Sequence, residues 1–217
     1  MTIKTRKYFS NLLFKTFPNI GWVEIKLTKF IMDYLKDCIK ETHMEHNKKL
    51  AGHLSKSYLI ADTKKIFFNK VIMPAIEQYT LAFGKAIIPT ILTKDCPFIL
   101  ETFWVNYQKK YEFNPVHNHT GVFSFVIWMT IPTHYEQEYK VKSVMNSNNP
   151  QASDFKFVYH NALGKLSCFN YKLSSKDEGT MLLFPSQLNH AVYPFYTSNK
   201  KRISVSGNIF LNPKERA

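Results

Sequence analysis

A chain of 217 residues can bury one substantial core, and its 45% hydrophobic and 15% aromatic content excludes a disordered polymer. The formal charge is +13, which taken alone points to an anionic partner such as nucleic acid. The basic residues are nearly all Lys and lie scattered between Asn and Ile with no dense block, so compositional bias accounts for them and nucleic acid stays a secondary expectation.

In chain order, 12–18 and 21–25 read as short edge strands. Between 28 and 49 the apolar Phe30, Ile31, Tyr34, Leu35, Cys38 and Ile39 recur at helical spacing, with Asp33, Lys36, Asp37 and Lys40 on the opposite face. A second helix is predicted over 62–83, with Ile66, Phe67, Val71, Ile72 and Ala75 as its buried stripe and Pro74 kinking or splitting it. His43 and His46 could share a metal at helical i, i+3 spacing, but with His53 they lie in a segment that reads as solvated. From residue 98 the pattern changes to short strands, at 98–106, 121–131, 155–159, 166–171, 180–185, 191–193 and 202–211. The polar stretch 135–154 reads as a long insertion, mobile or partly covering a cavity. The expected architecture is α+β with a mainly β core in one domain, residues 1–97 forming a helical support and 98–211 an antiparallel sandwich or barrel. Cys38, Cys96 and Cys168 are odd in number and form no CxxC pair, and no stretch has the length of a membrane span or the form of a signal peptide, so a soluble cytoplasmic protein is expected.

Chemistry concentrates in three places. His117 and His119, two apart on an extended segment, point to one side, and neutral imidazole ligates iron, copper, nickel or zinc. His190 follows the apolar 181–184 and a turn. Twelve residues on, Arg202 and Ser204 share one face of a strand while Ile203 and Val205 take the other. An Arg facing a barrel interior is costly unless it meets a fixed anion, and a carboxylate suits its geometry best. Other residues carry blander expectations: packing for Trp128 ahead of a place facing the pocket, a place lining the site or ordinary strand polarity for Asn106 and Gln108, turns or packing for His134 and His160, solvated turn positions for Asp177 and Glu178.

As a set, NPVHNHTG, FPSQLNHAVYPF and KRISVSGNI resemble the 2-oxoglutarate/iron(II) oxygenase superfamily over residues 100–211, and look most like its members in marine bacteriophage genomes. The resemblance implies a double-stranded β-helix (a cupin-like jelly roll) with the N-terminal helices packed on it. It also implies Fe(II) on His117, His119 and His190, 2-oxoglutarate as cosubstrate, and O2. Arg202 and Ser204 correspond to the family's RxS anchor for the cosubstrate. Tyr107, ten residues before His117, resembles the Tyr that contacts the cosubstrate in prolyl-hydroxylase-like members. The implied reaction couples oxidative decarboxylation of 2-oxoglutarate to hydroxylation of a substrate not identified by the sequence: a peptidyl residue, a nucleobase or a small metabolite. For a phage-encoded chain the compartment is the host cytoplasm; oligomeric state is left open. The family expects Asp or Glu where His119 stands. Three histidines therefore rank first as the ligand set, ahead of His119 paired with His190 while Gly121 vacates a position as in halogenases, and of a site that binds no iron. A non-catalytic cupin-like metal-binding protein is the alternative from another class, and it gives no reason for the Arg202/Ser204 pair.

Overall fold

Where successive amides find their partners decides where each element stops. A computed structural model describes residues 20–41, 44–84 and 96–214; the predicted strand at 12–18 lies outside the described residues. The strand expected at 21–25 is β1 (Val23–Lys26). Helix α1 spans Lys29–Lys40 behind Thr28, whose hydroxyl accepts the Ile31 N–H, and it buries Ile31, Leu35 and Cys38. It ends short of the expected residue 49. The amides of His46 and Leu59 bond instead to the carbonyls of Ser57 and Met44, which draws the chain into strand β2 (Lys56–Leu59). His46 is buried beside Trp104, not solvated as expected.

Asp62 accepts the N–H groups of Phe67 and Phe68, at 3.3 and 2.7 Å, and opens the second helical stretch. The first turns, Phe68–Ile72, widen to π geometry before α2 (Met73–Phe83). Pro74 explains this: it has no N–H to donate and its ring crowds the carbonyl of Lys70, so the wider turn takes up the misfit. Phe67, Val71, Ile72 and Ala75 are buried as the periodicity predicts, joined by Ile76 and Tyr79.

The remaining strands are β3 (Phe98–Gln108), β4 (Asn114–His117), β5 (Phe123–Thr130), β6 (Phe155–His160), β7 (Leu166–Tyr171), β8 (Thr180–Pro185), β9 (Asn189–Val192) and β10 (Arg202–Leu211). They form a six-stranded sheet, β1-β8-β5-β10-β3-β2, and a four-stranded sheet, β4-β9-β6-β7. All pairings are antiparallel, and the chain crosses repeatedly between the sheets, which is the double-stranded β-helix. Strands β1 and β2, from before residue 97, extend the larger sheet at its two edges.

Period-two alternation then makes two cores. One face of the larger sheet (Phe103, Val105, Phe125, Ile127, Leu183, Val205) packs against α1 and α2. The other (Val126, Trp128, Leu182, Phe184) meets Phe155 and Phe157 of the smaller sheet. No described helix is long and apolar enough to cross a membrane.

The 135–154 stretch departs from its expectation as a loose insertion. It begins with a short helix, α3 (Tyr135–Glu138), and Glu138, Ser153 and Asp154 are fully buried. Glu138 accepts the backbone N–H groups of Tyr196 and Thr197, and Asp154 accepts the Tyr139 hydroxyl at 2.7–2.8 Å. Asp177 and Glu178 are likewise structural. The first closes a capping box with Ser174, and the second accepts the Ile131 N–H at 2.7 Å.

Candidate metal centre

His117 ends β4 and His190 lies at the start of β9, and the two are directly paired across the smaller sheet. His119 sits in the following turn, its N–H bonded to the Ser186 carbonyl at 2.8 Å. The nearest ligand atoms of the three imidazoles all lie within 4.8 Å of one another, and their ring centroids are 4.3–5.0 Å apart. Nδ1 of His117 is 2.8 Å from the Pro115 carbonyl, and Nδ1 of His190 is 2.9 Å from the Leu188 carbonyl. A carbonyl only accepts, so each Nδ1 carries the proton and each Nε2 keeps its lone pair for a ligand.

The surroundings hold these rings neutral. Burial pushes the pKa of all three below the usual imidazole value, the neighbouring imidazoles add to this for His119 and His190, and His119 falls to about 4. Aromatic rings supply the apolar wall: His190 stacks within 5.8 Å of Phe155 and lies 5.0 Å from Phe184. Three converging neutral imidazoles, two of them with the tautomer fixed, suit a first-row transition metal.

Gly121 has its own reason to be glycine. Its φ is +103°, and a Cβ there would stand 2.8 Å from the Ile209 carbonyl oxygen. Its missing side chain follows from packing, and His119 lies inside the cluster.

A cavity of about 50 Å³ adjoins the histidines. Its polar lining comes from alternate positions of two paired strands, Trp104 and Asn106 on β3 and Ser204 and Ser206 on β10. The Ser57 hydroxyl donates to Asn106 Oδ1 at 2.6 Å, so the amide nitrogen is the end left for a ligand. Among the described residues Trp104 Nε1 is buried without a partner. Residues 50–54 of the loop before β2 close one side. Sequence reasoning passed over Trp104 and left Asn106 between a lining position and ordinary strand polarity; alternation with the inward-facing β10 serines was the available signal.

Arg202 lies beyond Ser204 on the same face of β10 and does not line the cavity. It is fully buried, donating to Ser153 Oγ, to the Ser153 carbonyl at 2.9 Å and to Gln108 Oε1 at 3.4 Å. Burial lowers its pKa to about 10, against the pull of Glu138 and Asp154. Among the described residues no carboxylate comes within 4.0 Å of it, and its Nε has no partner.

Tyr107 is not brought to the histidines. It occupies the other face of β3 from Trp104 and Asn106, packs toward the helices beside Tyr58, and has the Lys201 ammonium 5.7 Å from its ring. The spacing from His117 matched a cosubstrate contact, but strand alternation sends the side chain the opposite way. Trp128 is core, as expected. His134 caps α3 through Nδ1, and His160 is exposed at the end of β6. His43 lies outside the described residues.

Residues 102–208 match the family model described as "Putative 2OG-Fe(II) oxygenase", a span of 107 of the 217 residues that contains all three histidines and Arg202. Among solved structures, the chain is similar to an oxidoreductase of the 2OG-Fe(II) oxygenase family from Burkholderia pseudomallei, at 10% identity, TM-score 0.50, covering 88% of this chain and 84% of that one. A prolyl-4-hydroxylase from Pseudomonas putida aligns at 13% identity and TM-score 0.49, over 89% and 94% of the two chains. HygX from Streptomyces hygroscopicus, in complex with nickel, 2-oxoglutarate and hygromycin B, aligns at 9% identity and TM-score 0.48, over 88% and 83%. At such identities the likeness concerns the fold alone. No curated protein sequence matches the chain. The family model covers just under half of the chain, and the solved structures share its double-stranded β-helix fold.

Proposed function

We propose that the protein is an iron(II)- and 2-oxoglutarate-dependent hydroxylase with a three-histidine iron site. The convergence of His117, His119 and His190, each neutral and two of them with Nε2 presented by a fixed tautomer, carries this reading. Iron bound there supplies the activation of dioxygen that 2-oxoglutarate decarboxylation drives, with succinate and carbon dioxide as products.

The chain's own residues bind, orient and exclude water. Asn106, Ser204 and the Trp104 indole N–H offer hydrogen bonds to an oxygen-rich ligand in the cavity beside the histidines. Arg202 would draw the distal carboxylate of the cosubstrate toward the deeper end of β10. This is supported by a buried guanidinium that has no ion-pair partner among the described residues and one unpartnered nitrogen. Phe155, Phe184 and Val126 keep the cavity wall apolar, which strengthens each polar contact inside and limits water. Replacing a carboxylate ligand by His119 leaves the site with one more positive charge once metal is bound, and the dianionic cosubstrate offsets it.

The test is succinate formation from 2-oxoglutarate with iron(II) and oxygen, together with the charge-transfer band that forms anaerobically. Wild type should show both, and His190→Ala neither. A chain that binds metal at the three histidines but shows no band and no succinate is a metal-binding jelly roll and not an oxygenase.

A further inference from the structure

Lysines dispersed along the sequence meet on one face of the fold. Lys56 of β2 is the cross-strand neighbour of Tyr107, and Lys201 lies over the same ring. The turn after β3 carries Lys109 and Lys110, and the loop before β10 carries Lys200 and Lys201. A backbone bond from the Tyr111 N–H to the Phe195 carbonyl, 3.0 Å, ties that turn to that loop. Lys48 and Lys49 stand on the short helix Asn47–Lys49 before β2. Among the described residues, every ion pair is on α1 (Lys29, Lys36 and Lys40 with Asp33 and Asp37), so none of these lysines is neutralised by one. The adjoining Glu112 has both carboxylate oxygens turned to backbone N–H groups, of Ser55 and Lys109.

A second observation concerns Tyr111. It is 62% exposed, holds φ at +69°, and stands 5.7 Å from the ring of Tyr196. At the third position of the Lys109–Glu112 turn this conformation favours Gly or Asn. A bulky aromatic kept there at a conformational cost presents a largely exposed flat surface, edged only by the Tyr196 ring and by the Lys110 ammonium 5.4 Å from its centroid. The face also continues to the candidate site. Ser55, held by Glu112, directly follows Leu54, which lines the cavity beside the histidines.

We propose that this face binds single-stranded nucleic acid, the lysines following the phosphates and Tyr111 stacking an unpaired base, and that it leads the strand to the cavity mouth as the substrate class of the oxygenase; this last step rests on the function proposed above. Single strands fit better than duplex because the face combines ammonium charges with an exposed ring, and unpaired bases offer stacking surfaces to it.

Binding is measured on the full-length, metal-free protein by fluorescence anisotropy with a labelled oligothymidylate of about 20 nucleotides, between about 50 and 200 mM salt. Five to seven engaged lysines give a log–log salt slope of roughly −3 to −5. Lys→Gln at 109, 110, 200 and 201 together should flatten that slope by nearly 3, at about 0.7 per contact. Tyr111→Gly relieves the backbone, so the melting temperature should hold or rise while affinity falls roughly fivefold or more at unchanged slope. Lys→Gln at 29, 36 and 40 should change nothing. Absence of salt-sensitive binding, full affinity in Tyr111→Gly, tighter binding of duplex, or equal binding of phosphatidylserine vesicles would each overturn the proposal. Oligonucleotide binding as expected in a protein that makes no succinate leaves the face standing and removes only the oxygenase step.

Discussion

Replacing Asp154 by Asn tests how the buried charges around Arg202 are balanced. Asp154 is fully buried, and burial pushes its carboxyl from 3.8 up to about 6 against the hydrogen bond from Tyr139 and the pull of Lys172, Arg202 and Lys156. Between those two pH values the native state holds a proton that the unfolded state has released, so this group adds stability as pH falls through about 6 toward 3.8, and above pH 6 the ionised form weakens the fold. The gap of about 2.2 pH units, at about 1.4 kcal/mol each, amounts to about 3 kcal/mol. Asn keeps an acceptor for the Tyr139 hydroxyl and removes the buried charge. At pH 8 the variant should therefore be more stable by up to about 3 kcal/mol, or roughly 6–12 °C in Tm for a chain of this size, and the advantage should vanish near pH 4. Urea titrations of both proteins at pH 4.5, 6 and 8 measure it, and the difference between the two curves cancels every other titrating group. A variant less stable than wild type at pH 8, or a difference independent of pH, would show that Asp154 serves chiefly as the counter-charge of Arg202 and would refute this reasoning.

The depressed pKa values of the three histidines mean that protons compete weakly for the ligand nitrogens. Nickel affinity by calorimetry should fall less than about tenfold between pH 7.5 and 5.5, where three ordinary imidazoles with pKa near 6.5 would lose more. Gly121→Ala forces a Cβ onto the Ile209 carbonyl at positive φ and should destabilise by at least about 2 kcal/mol in urea unfolding; unchanged stability would mean that the turn carrying His119 relaxes freely. Phe157 is fully buried against Trp22, Phe155 and Phe184, so Phe157→Ala should cost about 3–5 kcal/mol in the same assay.

The legible part of the molecule was what periodicity governs. Alternation placed His117 beside His119 and separated Ser204 from Val205, while the joining of His190 to that pair came from the family resemblance. Alternation also contradicts the role that spacing suggested for Tyr107: a ten-residue interval to His117 is preserved while the side chain faces the helices. Polarity misled in 135–154, which reads as an insertion, mobile or partly covering a cavity, although its Glu138, Ser153 and Asp154 are buried around Arg202. A polar residue signals exposure only when no buried partner waits for it, and Arg202 lies far away in sequence. The basic face was illegible for a related reason: its lysines are separated by up to about 150 residues and meet only through the β2–β3 and β3–β10 pairings.

His117 and His190 face each other across a single rung of the β4–β9 ladder, where β4 has just two registered pairs and an irregularity between them. An ion on both rings would act as a rivet at the weakest seam of the smaller sheet. Its occupancy and the integrity of that seam are then one equilibrium: each tenfold rise of free ion above its dissociation constant adds about 1.4 kcal/mol against unfolding. Starving such a protein of metal would loosen it mechanically.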